Sequence, residues 1–445
     1  MNKILPPWPH QGLSLEVYDR TPHVFDLSDA GTGKTRAAID AFVKHGKRAL
    51  VVAPKALLET AWLNDINKFA PHLRTSVAYA SNRTDAFSVP ADVYITNTDA
   101  TRWLAKQPAS FFKTFDTLII DESSYFKNRT SQRSKAMMKI SHNFDRKALL
   151  TATPTSVSIT DIWHQAKILD GGKRLGNSFF KFRETVCESK PTFGTFVKWV
   201  DRPEAYASVA QILSDIRIRH LFPEVMKSVP GNKEHYVKYT PSPKLIQQYN
   251  KLKEDAIIMV QEGAVTAVNA AALRQKLLQV ASGTVYGEDG SHVFLDNQRI
   301  ELVGELVYQR EHSVVFYNWK HQRDALRKEL TKRKISFIEI SSDTPDDERL
   351  AIVDRYQSGD YQTILMHPQT GAHGLTLTRG TAVIWCSPSD RADLLVQGKH
   401  RVYRGGQTKE TENIMVCSTG TLEAGVYANT DRKRTAMTDL LELLQ

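Results

Sequence analysis

Apolar residues gather in short β-branched runs, each followed by turn residues and then by helical spacing, and this unit recurs along the chain. Such alternation predicts parallel strands joined by crossover helices. Two series stand out. HVFDL, RALVVAP, DVYITN, TLIIDE and KALLTATP form the first, ending near residue 154, and SVVFYNW, SFIEIS, TILMHP, AVIWCSP and NIMVCST form the second, from about 313 to 419. Between them, over about 155–300, strand signals thin out and helical spacing takes over, as in YASVAQILSDIRIRHLF and PKLIQQYNKLKEDAIIMV. The C-terminal TLEAGVYANTDRKRTAMTDLLELL reads as one or two amphipathic helices. The expected fold class is α/β: a parallel-sheet domain over 1–160, a helical insertion and linker over 161–300, and a second parallel-sheet domain with C-terminal helices over 301–445.

A chain of 445 residues exceeds what one core usually supports, which agrees with two domains. No apolar run has the length of a membrane span. Prolines interrupt MNKILPPWPHQG before any secretory apolar stretch forms, so a cytoplasmic protein is expected. The cysteines Cys187, Cys386 and Cys417 show no C-x-x-C spacing and read as packing residues, not as a disulfide or zinc framework. Lys plus Arg number 59 against 49 Asp plus Glu, a net charge of +10 that favours a polyanionic partner.

Candidate chemistry begins at DAGTGKT, residues 29–35, which joins the first strand run to a helical pattern. A Gly-rich turn there aims backbone N–H groups and a helix N-terminus at one point, where phosphate can sit. Gly31, Thr32 and Gly33 line the turn, Lys34 reaches the β and γ phosphates, and Thr35 offers its hydroxyl to Mg²⁺. Ser28 stands where the G-x-x-x-x-G-K-[ST] pattern has its first glycine. The bland alternative is a plain strand–helix turn with Lys34 solvated. TLIID ends in Asp121 followed by Glu122, which suits an Mg²⁺ carboxylate and a group that polarises the attacking water. Acidic pairs at strand ends are also ordinary surface features, so it is the combination with Lys34 that favours chemistry.

The residues that follow carry a resemblance. Asp121-Glu122-Ser123-Ser124-Tyr125-Phe126-Lys127-Asn128 is similar to the DEAH-x-x-KN segment of the Swi/Snf-type ATPases, DNA translocases of helicase superfamily 2. In the family's order come PHQ at 9–11, LVVAPKALLETAWLNDINKFAP, ITNTD at 95–99 and LLTATPTSVSITDIW, then SVVFYNWKHQRDALRKEL and TGAHGLTLTRGTAVIWCSP. Gln397 to Gln407 resembles the Q-x-x-x-R-x-x-R-x-G-Q motif, which differs from the H-R-x-G-R of RNA helicases. FFKFRETVC and IRIRHLFPEVMKSVP resemble, more loosely, the annealing-helicase branch. Ser124 replaces the DEAH histidine, Thr376 stands where many members have Asn, and Tyr125-Phe126 is bulkier than usual.

The resemblance implies two RecA-like domains, with ATP and Mg²⁺ as cofactors and Lys34, Asp121, Glu122, Arg401 and Arg404 as catalytic residues, the arginines acting as fingers. It adds Gln11 as an adenine reader and Gly374 to the nucleotide set, and makes Lys55, Asn97, Thr98 and Thr376 candidate DNA contacts. The implied partner is double-stranded or forked DNA, bound without sequence preference by a monomer of bacterial or viral origin. Trp62, Trp163 and Trp385 lie on apolar faces and read as packing rather than base stacking, and Cys386 and His373 as structural. Two alternatives stay open: an RNA or single-strand helicase, and a non-hydrolysing nucleic-acid clamp suggested by Ser124.

Overall fold

A computed structural model of the chain describes residues 4–191, 197–261, 267–286, 292–341, 343–371 and 375–443. The chain divides into two compact units, Met1–Lys227 with Lys433–Gln445, and Ser228–Arg432.

The first unit holds β1 (His23–Asp26), β2 (Ala49–Ala53), β3 (Thr75–Ala78), β4 (Val93–Asn97), β5 (Thr117–Asp121), β6 (Arg146–Leu150), β7 (Cys187–Pro191), β8 (Val197–Asp201) and β9 (Arg217–Ile218). Seven of these form one parallel sheet in the order β3-β4-β2-β5-β6-β1-β9. Every residue of β2 and β5 is buried, which is why these strands read as continuous apolar runs instead of alternating ones. One face packs on Phe42, Trp62 and Ile66 from the crossover helices. β7 and β8 pair as a separate antiparallel hairpin.

The second unit contains β10 (Asn232–Tyr239), β11 (Thr284–Tyr286), β12 (His292–Phe294), β13 (Ser313–Phe316), β14 (Phe337–Ile340), β15 (Thr363–Met366), β16 (Ala382–Trp385) and β17 (Thr411–Ser418). Its parallel sheet runs β10-β17-β16-β13-β15-β14, and β11–β12 is a small antiparallel pair. Alternate residues of these strands feed two cores: Val315, Leu365, Ile384 and Ile414 on one face, Phe316, Met366, Trp385 and Met415 on the other. This is the two-residue period of a sheet covered on both sides. Arg299, at the start of helix Gln298–Tyr308, forms a fully buried ion pair with Glu423, the first residue of helix Glu423–Leu443.

All ten apolar runs expected as strands are strands, and the two-sheet α/β architecture is as expected. The stretch read as a helical insertion is not purely helical. It includes helices Phe179–Val186, Ala205–Ile212, Pro243–Gln261 and Ala267–Ala281, but also the hairpins and the edge strands β9 and β10, and the unit boundary at Lys227 falls inside it. β3, β9 and β10 sit at sheet edges with partly exposed residues, so they lack the apolar runs that announce the central strands. The three cysteines are free and buried. Among the described residues no helix is long and apolar enough to cross a membrane.

Candidate nucleotide site

After β1 the chain turns through residues 27–33 into helix Lys34–His45. Gly31 and Gly33 have φ of 84° and 80°, the left-handed region that glycine enters without strain. A Cβ on Gly33 would lie 2.3 Å from Gln11 Nε2 and 3.0 Å from the Trp8 ring, so this glycine answers a close approach as well. Lys34 folds back over the turn, and its Nζ donates to the carbonyls of Ser28 at 2.7 Å and Asp29 at 2.9 Å. Buried Thr32 donates its hydroxyl to Asp29 O at 2.9 Å, and Thr35 is half-buried in the first helical turn.

Helix Pro9–Arg20 supports the turn from one side. His10 Nε2 is 2.7 Å from the Thr32 carbonyl, and Gln11 Nε2 donates to Gly33 O at 3.2 Å while its Oε1 accepts from Trp8 N at 2.8 Å. Gln11 is 4% exposed. Both ends of the amide expected to read adenine have partners within the protein, one of them on the glycine turn.

Asp121 closes β5. Its Oδ2 accepts from Trp62 Nε1 at 2.9 Å and its Oδ1 from Glu122 N at 3.0 Å. Burial pushes the Asp121 carboxyl above its ordinary range, against the opposing pull of the Trp62 hydrogen bond and the Lys34 ammonium. Glu122 has φ 51° and ψ 57°, a left-handed conformation that costs a non-glycine residue roughly 1–3 kcal/mol and is characteristic of functional positions. Thr151, just past β6, donates its hydroxyl to Glu122 Oε2 at 3.4 Å, and Thr151 Oγ1 accepts from Thr153 N at 3.1 Å. Ser124 and Phe126 are buried, which gives the bulky pair at 125–126 one packing role. Ser123 Oγ donates to Gln165 Oε1 at 2.8 Å, and Lys127 Nζ bonds Ser156 Oγ and lies 3.7 Å from Asp161. Because β6 lies between β5 and β1, the glycine turn, the acid pair and Thr151 all issue from the C-terminal ends of three adjacent parallel strands, the usual place for ligand chemistry in such sheets.

Of the candidate DNA contacts in this unit, Lys55 is exposed after β2, and half-buried Asn97 ends β4 and accepts from Arg83 Nη2 at 3.3 Å. Thr98 is 3% exposed, and its backbone carbonyl accepts from Thr101 Oγ1. In the second unit Thr376 is exposed, whereas Gly374 and His373 lie outside the described residues. Arg401 and Arg404, beyond helix Ala392–Lys399, both donate to Leu375 O at 3.1 Å, and Arg401 Nε also donates to Gln397 O. Gln407 Nε2 donates to the carbonyls of Thr378, Gly380 and Val402, tying this motif to the loop before β16.

Sequence reasoning missed the polar roles of Trp62 and Thr151. Trp62 is fully buried, as expected of a packing residue. Its indole N–H nonetheless reaches the Asp121 carboxylate from a π-helical segment, Leu58–Leu63, a helix type often found at functional sites.

A glycine turn, lysine and acid pair at the C-terminal ends of neighbouring strands, with a second parallel sheet carrying an arginine motif, define the class: a helicase-like ATPase. The chain matches the SNF2-related domain over residues 27–282 and the helicase conserved C-terminal domain over residues 298–406. It belongs to the SNF2-related family, enzymes of helicase superfamily 2 whose class is DNA-dependent ATPase. It is 24% identical to protein p41 of Acyrthosiphon pisum secondary endosymbiont phage 1, over 100% of this chain and 99% of that protein. It is 25% identical to the mouse DNA annealing helicase and endonuclease ZRANB3, over 91% of this chain but 38% of that protein, so it spans well under half of that relative's length. The Sulfolobus solfataricus SWI2/SNF2 ATPase core, solved in complex with dsDNA, is similar at 20% identity and a TM-score of 0.44, covering 98% of this chain and 95% of that one.

Proposed function

We propose that the chain is an ATP-driven motor that moves along duplex or forked DNA without sequence preference and regresses forks or anneals strands. The observation that supports this most is the gathering of Lys34, Asp121, Glu122 and Thr151 at the ends of β1, β5 and β6 in a chain of the SNF2-related family. In this reading Lys34 leaves the Ser28 and Asp29 carbonyls for the β and γ phosphates, Gly31, Thr32 and Gly33 line them, and Gly374 is assigned to the nucleotide set. Gln11, which bonds Gly33 O of the turn, is assigned to the adenine. The half-buried Thr35 hydroxyl and the Asp121 carboxylate, a hard-oxygen donor set, suit Mg²⁺. Bound Mg²⁺ supplies neutralisation of phosphate charge. Glu122 takes the proton of the attacking water, oriented by Thr151. Arg401 and Arg404 are assigned to the charge that develops on the γ-phosphate, a role worth about 10³ to 10⁵ in rate in other phosphoryl-transfer enzymes.

Lys55, Asn97 and Thr376 are assigned to DNA phosphates, which position a protein without reading sequence. The annealing helicase among the relatives supports the forked substrate, and the phage relative supports a viral or bacterial origin; a monomer acting in the cytoplasm completes the proposal. The test is ATP hydrolysis without nucleic acid, with plasmid duplex, single strands, a fork and RNA, wild type beside Glu122→Gln. Stimulation by duplex or fork that the variant loses is the expected result. Stimulation mainly by RNA or single strands refutes the substrate, and hydrolysis no higher than in Glu122→Gln refutes the motor.

A further inference from the structure

The phosphate turn is held on its second side by residues 216–222, which return from the insertion. β9 pairs in parallel with β1, and the contact continues past the strands: Leu27 N donates to Ile218 O at 2.9 Å and Asp29 N to His220 O at 3.0 Å. Ser28 Oγ accepts from His220 N at 3.1 Å. The Asp29 carboxylate accepts from Arg219 Nη1 at 2.7 Å through one oxygen and from Phe222 N at 2.9 Å through the other. Arg219 Nη1 donates also to Leu27 O at 2.9 Å, and this side chain is only 3% exposed. Three consecutive residues of the turn, Leu27 to Asp29, are thereby fixed from one short segment more than 180 positions away in sequence.

Ser28 and Asp29 are also the two residues whose carbonyls hold the Lys34 ammonium. Their side chains face the return segment while their carbonyls face the lysine. We propose that Arg219, acting through Asp29, is a positioning residue of the ATPase: the return segment sets the direction of the Ser28 and Asp29 carbonyls and so the place of Lys34 when phosphate enters. A buried guanidinium that bonds a carboxylate and a backbone carbonyl through one nitrogen fixes orientation more tightly than an ammonium on a flexible stem. The inference rests on the nucleotide site lying at this turn, and its test does not require turnover.

The test is equilibrium binding of ADP with Mg²⁺ to the full-length chain, for wild type, Arg219→Gln, Asp29→Asn and the double variant, with melting temperatures alongside. Each single variant is expected to weaken ADP about tenfold, the double variant no more than the worse single one, and Arg219→Lys to recover part of the loss. Such non-additivity is the signature of a pair acting as a unit. A merely structural role moves melting temperature and leaves the affinity of the folded fraction unchanged, which overturns the proposal, as do additive losses. Should Arg219→Gln not fold, Asp29→Asn, which keeps the side chain's size and one acceptor oxygen, free to stay on Phe222 N, and Arg219→Lys carry the comparison. Wild type that binds ADP but hydrolyses no ATP above Lys34→Ala sinks the motor and leaves this inference standing. Wild type that binds no ADP overturns it.

Discussion

Replacing Trp62 with Phe removes one N–H from the Asp121 carboxylate while keeping an aromatic ring in the core. Trp62 Nε1 and Asp121 Oδ2 are 2.9 Å apart and both residues are buried, so water cannot take over the bond. A hydrogen bond to a charged group contributes about 1.5–3 kcal/mol. The bond favours the ionised carboxylate, and burial already holds the pKa above the usual range; without the indole it rises further. If Asp121 holds Mg²⁺ as proposed, protons then compete with the metal for it. The Mg²⁺ concentration for half-maximal ATP hydrolysis should rise about ten- to a hundredfold at neutral pH, the equivalent of that energy at 1.4 kcal/mol per decade. The sign of the pH effect follows: the variant's deficit shrinks as pH rises and Asp121 ionises, and widens as pH falls.

The assay is steady-state hydrolysis against free Mg²⁺ at constant MgATP-saturating nucleotide, at several pH values, with a melting curve for each protein. Ring shrinkage costs stability too, but less than the about 3–5 kcal/mol of complete truncation, so the folded protein remains measurable. An Mg²⁺ midpoint and pH dependence equal to those of wild type refute the reasoning, because they mean that the indole only fills space.

Asp121→Asn should abolish hydrolysis, because the amide puts an N–H where one of the two accepting oxygens faces Trp62 Nε1 and Glu122 N; a variant that still turns over ATP would contradict this. The charged form of Asp121 is penalised in the folded state, so in the wild type this cost is full above the raised folded pKa, declines as pH falls through it, and vanishes below the unfolded value; the wild type's melting temperature should therefore gain on that of Asp121→Asn as pH falls through this window. Glu423→Gln should lower the melting temperature of the second unit by roughly 6–20 °C, from about 3–5 kcal/mol for breaking a buried pair at about 2–4 °C per kcal/mol. It strips charge from the partner of Arg299, which bonds both Glu423 oxygens at 2.8 Å as well as the Cys386 and Ala281 carbonyls; calorimetry checks it. Gly398→Ala should also destabilise, since a Cβ would lie 2.7 Å from the Trp385 ring and 3.0 Å from Phe316. Overpacking of about 1–3 kcal/mol exceeds the about 0.5–1 kcal/mol that alanine returns in a helix, and a denaturant midpoint no lower than wild type would contradict it.

What was legible in the sequence follows from burial. Central strands such as β2 and β5 are covered on both faces and must be apolar throughout, so ALVVA and TLIID announce themselves. Edge strands carry no such demand. NKEHYVKY alternates weakly because half of β10 is exposed, and β9 is too short for any pattern, although it borders the phosphate turn. The glycines and Lys34 were legible because they answer local backbone geometry. Trp62 and Arg219 were not, because their partners lie 59 and 190 positions away, and only the fold brings them together.

The departures from the family pattern are answered by such distant partners. The first glycine of the phosphate pattern is Ser28, and among the described residues only Glu122 and Lys334 are non-glycines with positive φ. Position 28 therefore needs no glycine here, and the hydroxyl it gains is spent on His220 N. Strain sits instead at Glu122, whose left-handed backbone turns the side chain away from the line of β5 while Thr151 holds its carboxylate. A residue kept in that conformation must be over-determined by its surroundings, and Asp121 Oδ1 on its N–H, Thr151 on its side chain and Tyr125 N on its carbonyl supply the restraint. The acid pair is thus coupled to the loop after β6 through side chains that do not involve position 124, so a serine there leaves the link between Glu122 and Thr151 in place.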